Sequence, residues 1–290
     1  MNRPFPLPVI GAGSQPPDDA ELQVLAMPRE MATFAMPSVP QAADDGALAA
    51  ARDLLARFHS AFCAWAPAGD GALPRLDLAG TPEATLKVVD EVLGEGEVAI
   101  QVAGTPGLRI QESVFAGVWR VCVLGADGAL AADWLEASPV PQVALDAARA
   151  AAADRLPPVD VPQGAMNSPA LIAELGAQLA RRAPGDPTHV VNLTLFPLTA
   201  QDHQVLERAL PVGPVAMISR GFGNCRITST LARDVWRVQY FNSMNTLILN
   251  TLEVVDVPEV ALAAAEDLED SRARLAELID WMGDGLDGAA

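Results

Sequence analysis

Ser219-Arg220-Gly221-Phe222-Gly223-Asn224-Cys225-Arg226-Ile227-Thr228-Ser229-Thr230 opens the stretch that decides the fold, and the runs Val235-Trp236-Arg237-Val238-Gln239-Tyr240-Phe241-Asn242 and Leu247-Ile248-Leu249-Asn250-Thr251-Leu252-Glu253-Val254 complete it. A glycine-rich turn leads into three runs of β-branched, aliphatic and aromatic residues, the composition of strands. The middle run alternates: Trp236, Val238 and Tyr240 share one face, Arg237 and Gln239 the other, the pattern of a half-buried strand. Asn242-Ser243-Met244-Asn245 supplies turn chemistry. Pro258 is expected to open a long final helix at the first-turn position that tolerates proline.

A weaker copy of this stretch lies about 117 positions upstream. Val118-Trp119-Arg120-Val121 corresponds to Val235-Trp236-Arg237-Val238, Leu135-Glu136 to Leu252-Glu253, and Val140-Pro141 to Val257-Pro258. The same register relates Gly104 to Gly221, Gly96 to Gly213, and Leu54 and Ala56 to Leu171 and Ala173. One ungapped offset through helices, strands and turns reads as a tandem duplication of a unit of roughly 100 residues.

Each unit reads helix, strand, helix, four strands, helix. Hairpin turns such as Gly125-Ala126-Asp127-Gly128 demand antiparallel neighbours. The expected class is α+β, with helices packed on one face of mostly antiparallel sheets. The expected organisation is an extended N-terminal arm over 1–45, a first repeat over 46–155, a proline-rich linker over 156–166 and a second repeat over 167–290.

The formal net charge is −18, with Lys87 the single lysine. Such a field repels nucleic acid and anionic lipid and favours a basic partner. Neither a secretory leader nor an apolar run of membrane-spanning length is legible, so a cytoplasmic protein without membrane insertion is expected. Cys63, Cys122 and Cys225 lack metal-ligand spacing, and His59, His189 and His203 read as scattered, none at helical spacing from a second His or a Cys. No cofactor and no catalytic constellation are expected.

Two readings of Cys225 stand side by side. Arg226 beside it suits a reactive thiolate or a soft-metal ligand. Its place on a strand face with Ile227, where the first repeat has Leu108, suits a small buried hydrophobe. The glycines around Phe222 read as a turn needing positive φ, at Gly104 and Gly221 alike, because a strand and not a helix N-terminus follows. Arg120 and Arg237 stand where a guanidinium would hold Glu136 or Glu253 across strands. Trp119 and Trp236 read as core.

The run Gly221–Thr230, the run Val235–Ser243, the run Ile248–Val254 and Glu266-Asp267-Leu268-Glu269-Asp270-Ser271 resemble the HupH/HyaF family of hydrogenase expression and formation proteins, called HoxQ in some operons. So do Gly11-Ala12-Gly13-Ser14-Gln15 and Met31-Ala32-Thr33-Phe34-Ala35-Met36-Pro37. The resemblance implies a non-catalytic accessory protein for membrane-bound [NiFe]-hydrogenase, with the iron–sulfur small-subunit precursor and its twin-arginine signal as client, and a second hydrogenase accessory protein as a further partner. It supplies no catalytic residue set. The expected contact residues are those where the second repeat departs most from the first: Arg220, Gly221, Phe222, Gly223, Asn224, Tyr240 and Asn242. The rival expectation is a redox or cluster-handling factor that uses Cys225.

Overall fold

A computed structural model describes residues 44–66, 71–221 and 223–287. The predicted arm lies outside these residues apart from its last two, and so does Phe222. The described residues hold six α-helices and ten strands, and the strands pair antiparallel, so the expected α+β class holds.

The chain forms two compact units, each assembled from separate stretches of sequence. The first is built from the described residues up to 150, with 214–221 and 259–287. It contains α1 (Asp45–Ala64), β1 (Arg75–Asp77), α2 (Glu83–Leu93), β2 (Val98–Val102), β3 (Gly107–Glu112), β4 (Val118–Leu124), β5 (Leu130–Ala137) and α3 (Gln142–Ala151). The second is built from 151–213 and 223–258 and contains α4 (Ser168–Leu179), β6 (His189–Asn192), α5 (Ala200–Ala209), β8 (Asn224–Thr230), β9 (Val235–Phe241) and β10 (Leu247–Val254). Two elements lie within the expected second repeat in sequence but belong to the first unit: most of β7 (Val212–Ser219) and the helix α6 (Ala265–Asp287).

In the first unit the strands run β1-β5-β4-β3-β2-β7. β7 lies along β2 with Val98 opposite Ser219, Ile100 opposite Met217 and Val102 opposite Val215. The core forms where α1, α2 and α6 meet one sheet face. Phe58, Phe62, Leu55, Val89, Val118 and Leu135 are buried there with Leu268, Leu275, Ile279 and Met282 of α6. Each such side chain contributes about 1.5–3 kcal/mol by leaving water. The apolar stripe of α6 is therefore satisfied by α1. Pro258 does not open this helix. A 3-10 turn over Glu259–Ala261 follows it, and Ala263 N–H donates to the Pro139 carbonyl at 2.9 Å. That tether holds the chain against the first unit before helical pairing begins at Ala265.

In the second unit the order is β8-β9-β10-β6. α4 and α5 cover the face bearing Val235, Leu252 and Val254, with Leu171, Leu175, Leu206 and Ala209 in the core. Leu252 stands opposite Arg237, so the polar row of β9 is the helix-covered row. The row of Trp236 and Val238 is buried as well. The alternation of polar and apolar residues thus records two buried faces and not one wet face. The proline-rich segment is no free tether: Leu156 and Val159 pack on this core, and Ala153 exchanges backbone hydrogen bonds with Leu231 and Arg233.

Two charged side chains organise these units. Asp202, wholly buried at the start of α5, forms a capping box with Thr199. Its Oδ1 also accepts from the backbone N–H of Met166, Asn167 and Ser168 and from the Ser168 hydroxyl, at 2.8–2.9 Å, which joins the first turns of α4 and α5. Burial alone would raise its pKa, but these hydrogen bonds outweigh burial and hold the carboxyl well below the usual range. Arg120 is forked onto Asp133, with Nε donating at 3.0 Å and Nη2 at 2.7 Å, and it also meets Asp90. Glu136, expected as its partner, points to the opposite face and accepts from Ser138 Oγ and Trp134 Nε1. In the other half Arg237 Nε donates to Asn250 Oδ1 at 3.3 Å. Period-2 geometry explains the correction: 120 and 133 share a face in the ladder, whereas 136 pairs with Trp119.

Candidate partner-binding site

The expected contact residues fall on two bodies. Arg220 and Gly221 end the β7 segment of the first unit, where Arg220 N–H donates to the Glu97 carbonyl at 3.2 Å. Gly221 does not adopt positive φ, although Gly104 does, at +142°. A side chain at 221 would instead meet the end of the exposed Glu97 side chain, which would have to swing aside. Positive φ falls on Gly223, at +92°.

Gly223, Asn224, Cys225, Tyr240 and Asn242 belong to the second unit. Asn224 stands opposite Phe241 and Cys225 opposite Tyr240. Arg226 lies over the Phe241 ring, 4.6 Å from its centroid. Asn242 shapes the tip of the β9–β10 hairpin: its Oδ1 accepts from the N–H groups of Met244 and Thr246, both at 2.9 Å. Asn245 takes the left-handed conformation, φ 56°, that a tight turn needs and asparagine tolerates.

This well-built tip carries apolar side chains into solvent. Met244 is 80 % exposed and Ile248, at the bulge of β10, 56 %. Leu195, in the 3-10 turn Leu193–Leu195 that follows β6, is 77 % exposed. Thr194 Oγ1 accepts from Asn250 N–H at 2.8 Å, which fixes that turn alongside β10. Sequence reading missed Met244, Ile248 and Leu195. Their signal was present, since apolar residues in a turn and beside a bulge have no core to enter.

Cys225 is fully buried. Burial pushes its thiol up to about 12, against the hydrogen bond it shares with Tyr240, and the neighbouring Glu253 charge raises it further. The thiol therefore stays protonated, and packing is the role this geometry supports. Among the described residues no group of three or more His, Cys, Asp or Glu side chains is placed to hold a metal ion, and no helix is long and apolar enough to cross a membrane.

The histidines are not all isolated. His59 and Cys63 are four residues apart on α1, and Cys63 Sγ lies 3.3 Å from His59 Nε2. The expectation that no His sits at helical spacing from a Cys is wrong for this pair. His189 meets Glu174 at 2.8 Å.

The model of the HupH hydrogenase expression protein C-terminal conserved region matches this chain in two segments, 48–156 and 165–282. The chain belongs to that family. It is similar to hydrogenase expression/formation protein HoxQ of Cupriavidus necator, 42 % identical over 96 % of this chain and 98 % of the relative. It is similar to HupH of Rhodobacter capsulatus, 42 % identical over 95 % and 98 %. The hydrogenase-1 operon protein HyaF of Escherichia coli is 35 % identical over 68 % and 69 %. These relatives are named as hydrogenase expression or operon proteins and not as enzymes, which supports a role in hydrogenase maturation.

Proposed function

We propose that this protein is a non-catalytic, cytoplasmic accessory chaperone or scaffold in the maturation of membrane-bound [NiFe]-hydrogenase, binding the iron–sulfur small-subunit precursor before export, in company with a second accessory protein. The observation that carries this reading is the apolar hairpin of the second unit. Met244 and Ile248 stand in solvent at a hydrogen-bonded hairpin and Leu195 in the 3-10 turn fixed alongside β10, and exposed apolar side chains of this kind find their use in contact with another chain. Membership in the HupH family supports hydrogenase as the system served. The −18 net charge suits a client with a basic segment beside an apolar one: charge brings the pair together and apolar contact holds it.

The test is capture of the small-subunit precursor by purified protein, with and without its twin-arginine segment, at low and high salt. Expected are retention of the precursor and weaker retention as salt rises. Retention that ignores both salt and the signal segment would reject recognition of the signal.

A further inference from the structure

We propose that Cys63 and His59 form a solvent-facing thiol–imidazole site that undergoes thiol–disulfide exchange. The two residues stand four apart on α1, so their side chains lie over the same turn. Cys63 is the exposed cysteine of this chain, whereas Cys122 is half-buried and Cys225 buried. His59 Nε2 lies 3.3 Å from Sγ and 3.0 Å from the Arg272 carbonyl of α6. A carbonyl oxygen only accepts, so Nε2 carries the proton and donates to Arg272, which leaves Nδ1, 3.9 Å from Sγ, as the lone-pair nitrogen facing the thiol. Nδ1 accepts from the thiol S–H and can take its proton.

The surroundings act in both directions. Cys63 is near the C-terminus of α1, where exposed carbonyls oppose an anion. Arg272 Nη2 covers that end by donating to the Trp65 carbonyl at 2.8 Å. Glu269 takes part of this charge through its own contact with Arg272 Nη1 at 2.9 Å. A lone-pair ring nitrogen thus faces an accessible sulfur. The co-reactant is a disulfide. The Cys63 sulfur attacks one sulfur of R–S–S–R′ and forms Cys63–S–S–R, and the S–S bond breaks to release R′S⁻. The Cys63 proton passes to His59 Nδ1 and on to solvent, and no further oxidant is consumed.

The full-length protein is incubated at neutral pH with 5,5′-dithiobis(2-nitrobenzoate) and, separately, with oxidised glutathione, and the modified residue is located by mass spectrometry. One fast-reacting thiol per chain is expected with the aromatic disulfide, at Cys63, and Cys63→Ser removes the fast phase. His59→Phe slows it by about tenfold. His59→Gln, which keeps hydrogen-bonding groups but no basic nitrogen, slows it as much, and circular dichroism melts match the parent protein. A mixed disulfide with glutathione at Cys63 marks small-molecule disulfides as sufficient. Reaction with the aromatic reagent alone points to a protein disulfide as partner. A rate at Cys63 unchanged in a folded His59→Phe variant, or fast labelling at Cys122 instead, overturns the proposal.

Discussion

Ile100 stands opposite Met217 in the β2–β7 pair, and the two residues are themselves 117 positions apart. An offset of 117 positions carries Val98 to Val215 and Val102 to Ser219, so the pair Val98–Ser219 becomes the pair Val102–Val215. The register maps onto itself, with a local two-fold at Ile100 and Met217. The offset also carries Gly117 to Asp234 and Gly128 to Asn245, and all four take positive φ. Asp234 and Asn245 are the residues other than glycine in that conformation among those described.

These glycines separate two costs. At Gly128 nothing lies within 4 Å of an added Cβ, so Gly128→Ala meets only the left-handed backbone penalty, about 1 kcal/mol. At Gly117 an added Cβ also meets Leu268 of α6 and the Ser138 carbonyl at 3.1 Å. Gly117→Ala is expected to cost about 3 kcal/mol or more. Urea unfolding of both variants checks this, and equal losses would mean that α6 yields freely.

Asp202 sets an acid limit. Its pKa is depressed in the folded chain, so its stabilisation is full above the ordinary 3.8 and is lost as pH falls below it. Asp202→Ala leaves several buried N–H groups without an acceptor and is expected to cost about 2–4 kcal/mol at pH 7. The deficit should shrink at pH 3. A constant deficit would assign the effect to packing.

Glu112 acts in the opposite sense. Burial raises its pKa from the ordinary 4.5 to about 7, against hydrogen bonds from Gly117 and Val98 N–H, with the charges of Glu97 and Asp267 raising it further. Between those values the folded chain keeps a proton that the unfolded chain has released, so stability falls as pH rises through the window and levels off above it. Glu112→Gln is expected to flatten the slope between pH 5 and pH 8 in chemical denaturation. A slope left intact would place the titration elsewhere.

The hairpin tip can be tested apart from the fold. Met244→Ser with Ile248→Ser should weaken capture of the precursor by about tenfold or more while leaving the melting curve within roughly 2 °C, because both side chains are exposed. Tyr240→Ala with Phe222→Ala should weaken capture as well, with some loss of stability, since Tyr240 packs over the buried Cys225. Undiminished capture by both double variants would move the contact surface elsewhere.

The sequence by itself determined the local elements: apolar periodicity gave the helices, alternation and turn residues gave the strands, and the 117-residue offset located matching positions in both halves. These signals are short-range, set by backbone conformation and by which side of an element is apolar. For Cys225 the sequence offered both a reactive thiol and, through Leu108 at the matching place, a core position, and burial decided between them. Only the tertiary structure decided which surface each element meets. The stripe of Leu275, Ile279 and Met282 says that α6 must be covered, but any apolar face of matching shape would serve, and α1, far upstream in the chain, supplies it. Arg120 needed a carboxylate, and sequence offered several. Asp133 won because strand register put it on the same face. Burial of both faces of β9 was hidden for the same reason: alternation reports a difference in polarity between faces, whereas coverage depends on what the rest of the chain lays over them.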